Sequence, residues 1–237
     1  LNLLDNIGVN LFKIASCDLN NLNLIKNIAL KQKPVIFSTG YASVNEIFKA
    51  YETLLKNGCK KIAIMHCIAS YPTKDFDMNL KNISMLKDYF PHSIIGFSDH
   101  SKDYELFPSI AVAMGSKIIE KHFTTDNDLL GYDHKMSLNP KMFSKMVENI
   151  RRTESSMGKD RLTNGIYECE IDRISNARRA LYWSRDGKIG DLIDESLLVA
   201  KRPGKGISPI YFDDIIGNYL TEINVTSPTG LKQINAL

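Results

Sequence analysis

The sequence predicts an α/β protein: the last five βα units of a (β/α)8 TIM barrel, followed by a small β-rich module. Three observations carry this. Apolar runs of strand length begin at residues 12, 35, 62, 94 and 118, and a segment with helical spacing follows each. That rhythm is βα repetition and implies a parallel sheet. Five units are too few to close an eight-stranded barrel, which leaves an open doubly wound sheet or a barrel without its first three units. The chain opens at Leu1 inside an apparent helix, which favours the second, an N-terminally truncated barrel. After about residue 157 the rhythm stops and the segments become short and punctuated.

Leu1–Asn10 has apolar residues at helical spacing and a stop at Gly8, so it reads as the tail of a helix. Leu11–Ser16 (LFKIAS) is the first strand, and Asn21 is placed to cap a helix through Leu30. Pro34–Ser38 (PVIFS) is the second strand. Ser43 with Glu46 three residues on is the capping-box signature of the next helix. Lys61–His66 is the third strand and Asn79–Phe90 its helix; Ile94–Ser98 and Lys117–Phe123 are the fourth and fifth strands, with helical spacing over Tyr104–Met114 between them. A last helix runs from about Pro140 to Ser156. The predicted domains are residues 1–157, a polar linker Gly158–Glu170, and a small module over 171–237 built of short strands and turns (ARRALYWSRD, IGDLI, LLVAKRPGKGISP, DDIIGNYL).

Composition narrows the function classes. The 237 residues carry 30 basic and 27 acidic side chains, well mixed, for a net charge of +3. This makes no case for nucleic acid or a membrane surface, whereas a local cluster can still bind a small anion. Cys17, Cys59, Cys67 and Cys169 are scattered without a CxxC pair, which fits reduced thiols in a cytoplasmic protein. No run approaches the roughly 18 apolar residues of a membrane span.

The chemistry gathers at strand ends, where parallel sheets bind ligands. Lys13 and Ser16 belong to the first strand, Ser38 ends the second and Ser98 ends the fourth. Hydroxyls and an ammonium on one face suit a phosphate or carboxylate, although a serine at a strand end is more often a turn or cap residue. His66, His100 and His122 all lie at strand ends, and neutral imidazole is the commonest protein ligand for a divalent metal. His66, between Met65 and Cys67, is the one expected to be packed. Asp99 and Glu120 are alternatives as partners orienting imidazoles. Asp133 and His134 read as sugar-hydroxyl contacts or a turn, and Arg202 in the basic loop Lys201–Lys205 as a solvated charge in preference to an anion clamp.

The strings FKIASCD, VIFSTG, MHCIASYPT, GFSDH, IEKHF, GYDHKMSL and KRPGKGISP, in this order, resemble the N-acetylneuraminate (sialic acid) synthase family, which includes legionaminic and pseudaminic acid synthases. The resemblance implies a (β/α)8 barrel that condenses phosphoenolpyruvate with an N-acylated amino sugar such as N-acetylmannosamine, giving a nonulosonic acid and phosphate. It implies a divalent ion, Mn2+ or Mg2+, and identifies the small module as an antifreeze-like (SAF) domain that covers the partner's barrel in a homodimer. Residue by residue, His100 and His122 match the metal ligands, and Lys13, Ser16, Ser38 and Ser98 the phosphoenolpyruvate contacts. Lys13, His100 and His122 are the catalytic candidates. Asp18, Tyr71 and Asp133 fall where the amino sugar is held, and Arg202 matches an arginine that reaches over from the neighbouring subunit.

Two departures matter. The family's first three βα units, with a catalytic glutamate and a phosphate-binding lysine, have no counterpart in these residues, so the chain by itself is expected to be inactive. At Asp18 the family commonly uses glutamate as well as aspartate. The competing readings are a metal-dependent aldolase or hydrolase, which needs only His100, His122 and a carboxylate, and an inactive truncated chain.

Overall fold

Each of the five apolar runs becomes a strand that starts where the run does. In the computed structural model, which describes residues 1–158, 165–203 and 206–221, these are β1 (Phe12–Ile14), β2 (Val35–Ser38), β3 (Ile62–Cys67), β4 (Ile94–Asp99) and β5 (Ile118–Lys121). They pair in parallel in chain order. The helices are α1 (Asn2–Asn6), α2 (Leu22–Ala29), α3 (Val44–Lys56), α4 (Asn82–Tyr89), α5 (Phe107–Ala113) and α6 (Pro140–Met157). Asn21 caps α2 through Leu24 N–H, and Ser43 and Glu46 form the full capping box on α3. β1 is shorter than the sequence implied because Ser16–Asp18 turn into a 3-10 helix. β5 likewise stops at Lys121, so His122 lies one residue beyond its strand.

Side chains alternate across a strand, so the register sorts the residues onto two faces. Phe12, Val35, Phe37, Ile62, Ile64, Ile95 and Phe97 fall on one face and are buried with Ile25, Ala29, Ala50, Leu54 and Ile83 of the helices. The other face carries Lys13, Ser38, Met65, Cys67, Gly96, Ser98 and Glu120. This second face is concave. In a flat sheet β1 and β5 would lie roughly 19 Å apart, yet Lys13 Nζ of β1 is 3.0 Å from Glu120 Oε2 of β5. The sheet curls as part of a barrel, as the α/β reading requires.

The chain divides into two compact units, residues 1–159 and 160–237. In the second, α7 (Ile171–Ala177) precedes an antiparallel pair, β6 (Ala180–Trp183) and β7 (Leu198–Lys201), and α8 (Phe212–Ile215) follows. Its core is Leu181, Trp183, Ile193, Leu197, Leu198, Ile215 and Leu220. Two expectations need correction. Residues 171–177 are helical: Asp172 in the first turn favours the N-terminal end of the helix dipole. IGDLI makes a single bridge, Leu192 to Tyr219, instead of a strand. Residues 159–164 of the expected linker, and Gly204 and Lys205 of the basic loop, lie outside the described residues.

Gly96 gives a direct test of the concave face. A Cβ there would meet Met65 Sδ at 2.3 Å and the Ile118 carbonyl oxygen at 2.8 Å. Gly96→Ala is therefore expected to destabilise the chain by about 1–3 kcal/mol, measured by urea unfolding. An unchanged midpoint would contradict the packing described.

Candidate active site

The concave face gathers most of the polar residues singled out in the sequence. Ser98 is buried and donates to Glu120 Oε1 at 2.7 Å, and Lys13 Nζ lies 3.3 Å from the same oxygen. Ser38 is also buried, and its Oγ has no hydrogen-bond partner among the described residues. A buried hydroxyl left unpaired costs about 1–3 kcal/mol. Ser16 Oγ accepts from Gly40 N–H at 3.0 Å and donates to Cys67 Sγ at 3.5 Å. Only glycine fits at position 40, since a Cβ would stand 2.8 Å from Ser16 Oγ and 2.9 Å from Ala69 Cβ.

His100 and His122 follow β4 and β5, with ring centroids 5.2 Å apart, and the Tyr71 ring lies 4.3 Å from the first and 5.9 Å from the second. Nδ1 of His100 is 3.1 Å from the Ile68 carbonyl, and Nδ1 of His122 is 3.5 Å from Asp133 Oδ2. With Nδ1 facing an oxygen acceptor, the neutral ring carries its proton there and leaves the Nε2 lone pair free. Nε2 of both rings is without a hydrogen bond among the described residues. Burial holds the His100 ring below its usual pKa, against the pull of the Ile68 carbonyl, so it is neutral at pH 7. Two imidazoles with free Nε2 atoms fit a divalent ion whose other positions are filled by substrate or water. Among the described residues no group of three or more His, Cys, Asp or Glu side chains could hold an ion alone.

The remaining candidates separate. His66 faces the helices, stacked on Phe97 at 5.9 Å with Nε2 2.8 Å from the Met78 carbonyl; it is packed, as expected from its neighbours. Burial lowers its pKa as well. His134 Nδ1 pairs with Thr124 Oγ1 at 2.8 Å inside its loop. Asp18 ends the 3-10 turn after β1, half-buried. Arg202 is exposed in the second unit, just after β7. Asp99 does not orient an imidazole: alternation turns it to the helix face, where it binds Lys121. Glu120 does not either; it joins Lys13 to Ser98. Sequence reasoning missed that junction and the place of Cys67, whose Sγ lies 3.8 Å from His100 Nδ1. The signal for Glu120 was its register with Ser98, which only strand pairing supplies.

A model of the NeuB family matches residues 1–161. The chain belongs to the NeuB family. The spore coat polysaccharide biosynthesis protein SpsE of Bacillus subtilis is 35% identical to this NeuB-family chain over 245 residues, covering 97% of the chain and 65% of SpsE. The crystal structure of that protein superposes with a TM-score of 0.64 at 34% identity, covering 97% of this chain and 68% of the other. The N,N'-diacetyllegionaminic acid synthase of Campylobacter jejuni is 37% identical over 94% of this chain and 66% of the synthase. The N-acetylneuraminic acid synthetase of Leptospira borgpetersenii, solved with citrate, has a TM-score of 0.67 at 39% identity, over 73% of this chain and 59% of that one. The NeuB-family chain thus spans just under two thirds of the length of the curated relatives it matches. A model of the prokaryotic glutathione synthetase ATP-grasp domain matches residues 191–237, too little of the chain to show a family. Among the described residues no helix is long and apolar enough to cross a membrane.

Glu120 offers a titration test. Burial raises its pKa, but the Ser98 hydroxyl and the Lys13 ammonium outweigh burial and leave it below 4.5. A depressed carboxylate pKa contributes stability that is complete above the unfolded value and is lost as pH falls through the folded one. Lys13→Met removes the cation and leaves the burial, so the Glu120 pKa measured by carboxyl NMR should rise. A value unmoved by the substitution would contradict the pairing.

Proposed function

We propose that this chain supplies the phosphoenolpyruvate and metal half of a nonulosonic acid synthase. Such an enzyme condenses phosphoenolpyruvate with an N-acylated amino sugar, N-acetylmannosamine or a diamino relative, to give a sialic-type acid and phosphate. The observation that carries this is the shared concave face. It presents one ammonium, three hydroxyls and two imidazoles at the carboxyl ends of neighbouring strands, in a chain whose relatives include a legionaminic acid synthase.

Lys13, Ser16, Ser38 and Ser98 hold the anionic substrate through charge-assisted hydrogen bonds. Glu120 bonds both Lys13 and Ser98, and the substrate's phosphate or carboxylate exchanges with it as their acceptor. The unpartnered Ser38 hydroxyl gains an acceptor at the same time. Tyr71, Asp133 and Asp18 hold the amino sugar, with Tyr71 beside both imidazoles and Asp133 behind His122. A divalent ion, Mn2+ or Mg2+, bound by His100 and His122 would supply Lewis acidity at the sugar's carbonyl oxygen. With both substrates held, C3 of phosphoenolpyruvate bonds to the carbonyl carbon as the C=O π bond breaks; the oxygen becomes an alkoxide that takes up the proton the attacking water gives off, and positive charge develops at C2. Water adds at C2 and loses a proton, and the tetrahedral intermediate expels phosphate by cleavage of its C–O bond. Fixing the two substrates side by side removes much of the bimolecular barrier.

The second unit is read as the antifreeze-like SAF domain, and the working assembly as a cytoplasmic homodimer in which Arg202 serves the partner's site. The family resemblance puts a catalytic glutamate and a second phosphate-binding lysine in three further βα units. The test therefore joins those units to this chain, supplies phosphoenolpyruvate, Mn2+ and a panel of amino sugars in 18O-labelled water, and reads the products by mass spectrometry. The expected outcome is a nonulosonic acid labelled at C2 with unlabelled phosphate, and at least a hundredfold loss of rate in Lys13→Ala, on the order of the loss of one preorganised charge contact. Product formed without phosphoenolpyruvate would support an aldolase instead.

A further inference from the structure

The SDH and EKH strings each contain a charged residue that the proposed reaction leaves unused, Asp99 and Lys121. These are register partners at the ends of β4 and β5. Lys121 Nζ lies 2.8 Å from Asp99 Oδ2, with the two side chains 1% and 0% exposed. The same ammonium donates to the Ser101 carbonyl at 2.5 Å, and Asp99 Oδ1 accepts from Ser101 N–H at 2.8 Å.

His100 therefore sits between two residues that are both bonded to one ammonium, and that ammonium belongs to the residue before His122. The contact lies on the helix face, opposite the imidazoles, so neither charge reaches substrate. Stability is a weak reason for such a pair, because replacing a buried ion pair by apolar side chains is often neutral or favourable. A dry, charge-assisted network does fix geometry.

We propose that Asp99 and Lys121 are positioning residues whose buried ion pair sets the spacing and orientation of His100 and His122. The assignment rests on reading those imidazoles as metal ligands, and the test separates the two claims. The full chain is compared with the apolar pair Asp99→Leu/Lys121→Met and with the milder Asp99→Asn, with circular dichroism and urea unfolding as folding controls. Mn2+ affinity is read by electron paramagnetic resonance. Long-range proton–nitrogen NMR reads the imidazoles without metal.

The apolar pair is expected to fold, to lose about ten- to hundredfold in Mn2+ affinity, and to shift the ring nitrogen signals of His100 and His122. Asp99→Asn should shift them in the same direction by less, and it decides the matter if the apolar pair does not fold. A folded variant with unchanged Mn2+ affinity and unmoved imidazole signals overturns the proposal. A wild-type chain that does not bind Mn2+ defeats the ligand reading alone, and the imidazole signals then decide on the ion pair.

Discussion

Alternation along register-locked strands decides which side chains meet on each face of this sheet. In β4 and β5, neighbouring residues of one short string are sent to opposite faces of the sheet. Ser98 and His100 turn to the concave side, while Asp99 between them enters the helix-packed core. Glu120 and His122 do the same around Lys121. A one-residue slip in either strand would bury the imidazoles and expose the ion pair. The buried contact of Asp99 with Lys121 and the apolar wall of Phe97 and Ile119 make that slip costly.

Curvature then turns a face into a site. Lys13 and Glu120 stand on the first and last strands of the sheet, and only a curled sheet brings their charges within 3.0 Å. Small residues permit the approach: Gly96 lies under Met65, and Gly40 against Ser16, Cys67 and Ala69. The resulting face is electrically balanced, since Glu120 neutralises Lys13 while Ser98 supports the carboxylate. Lys13 and Ser98 thus share one carboxylate as their acceptor.

Much of this was legible in the residues. All five strand starts follow from the spacing of apolar runs, and the Ser43–Glu46 box is visible as a string before it is a structure. His66 could be set apart from His100 and His122 because Met65 and Cys67 flank it. What was not legible depends on neighbours distant in sequence. The bond of Lys13 to Glu120 joins residues 107 positions apart, and no periodicity encodes it. The opposite fates of Asp99 and Glu120 follow from pairing between strands, not from either string alone. In the second unit the segments are too short for a period to separate helix from strand, and the sequence pattern gives no signal for α7.

We propose that one concave face holds both the anionic substrate and a divalent ion. The most direct measurement of this is the phosphorus NMR line of phosphoenolpyruvate, titrated with Mn2+ and the chain. The expected result is broadening beyond that of Mn2+ and phosphoenolpyruvate alone, lost in His122→Ala and, separately, in Lys13→Ala. Broadening equal to the protein-free mixture, or undiminished in both variants, would contradict it.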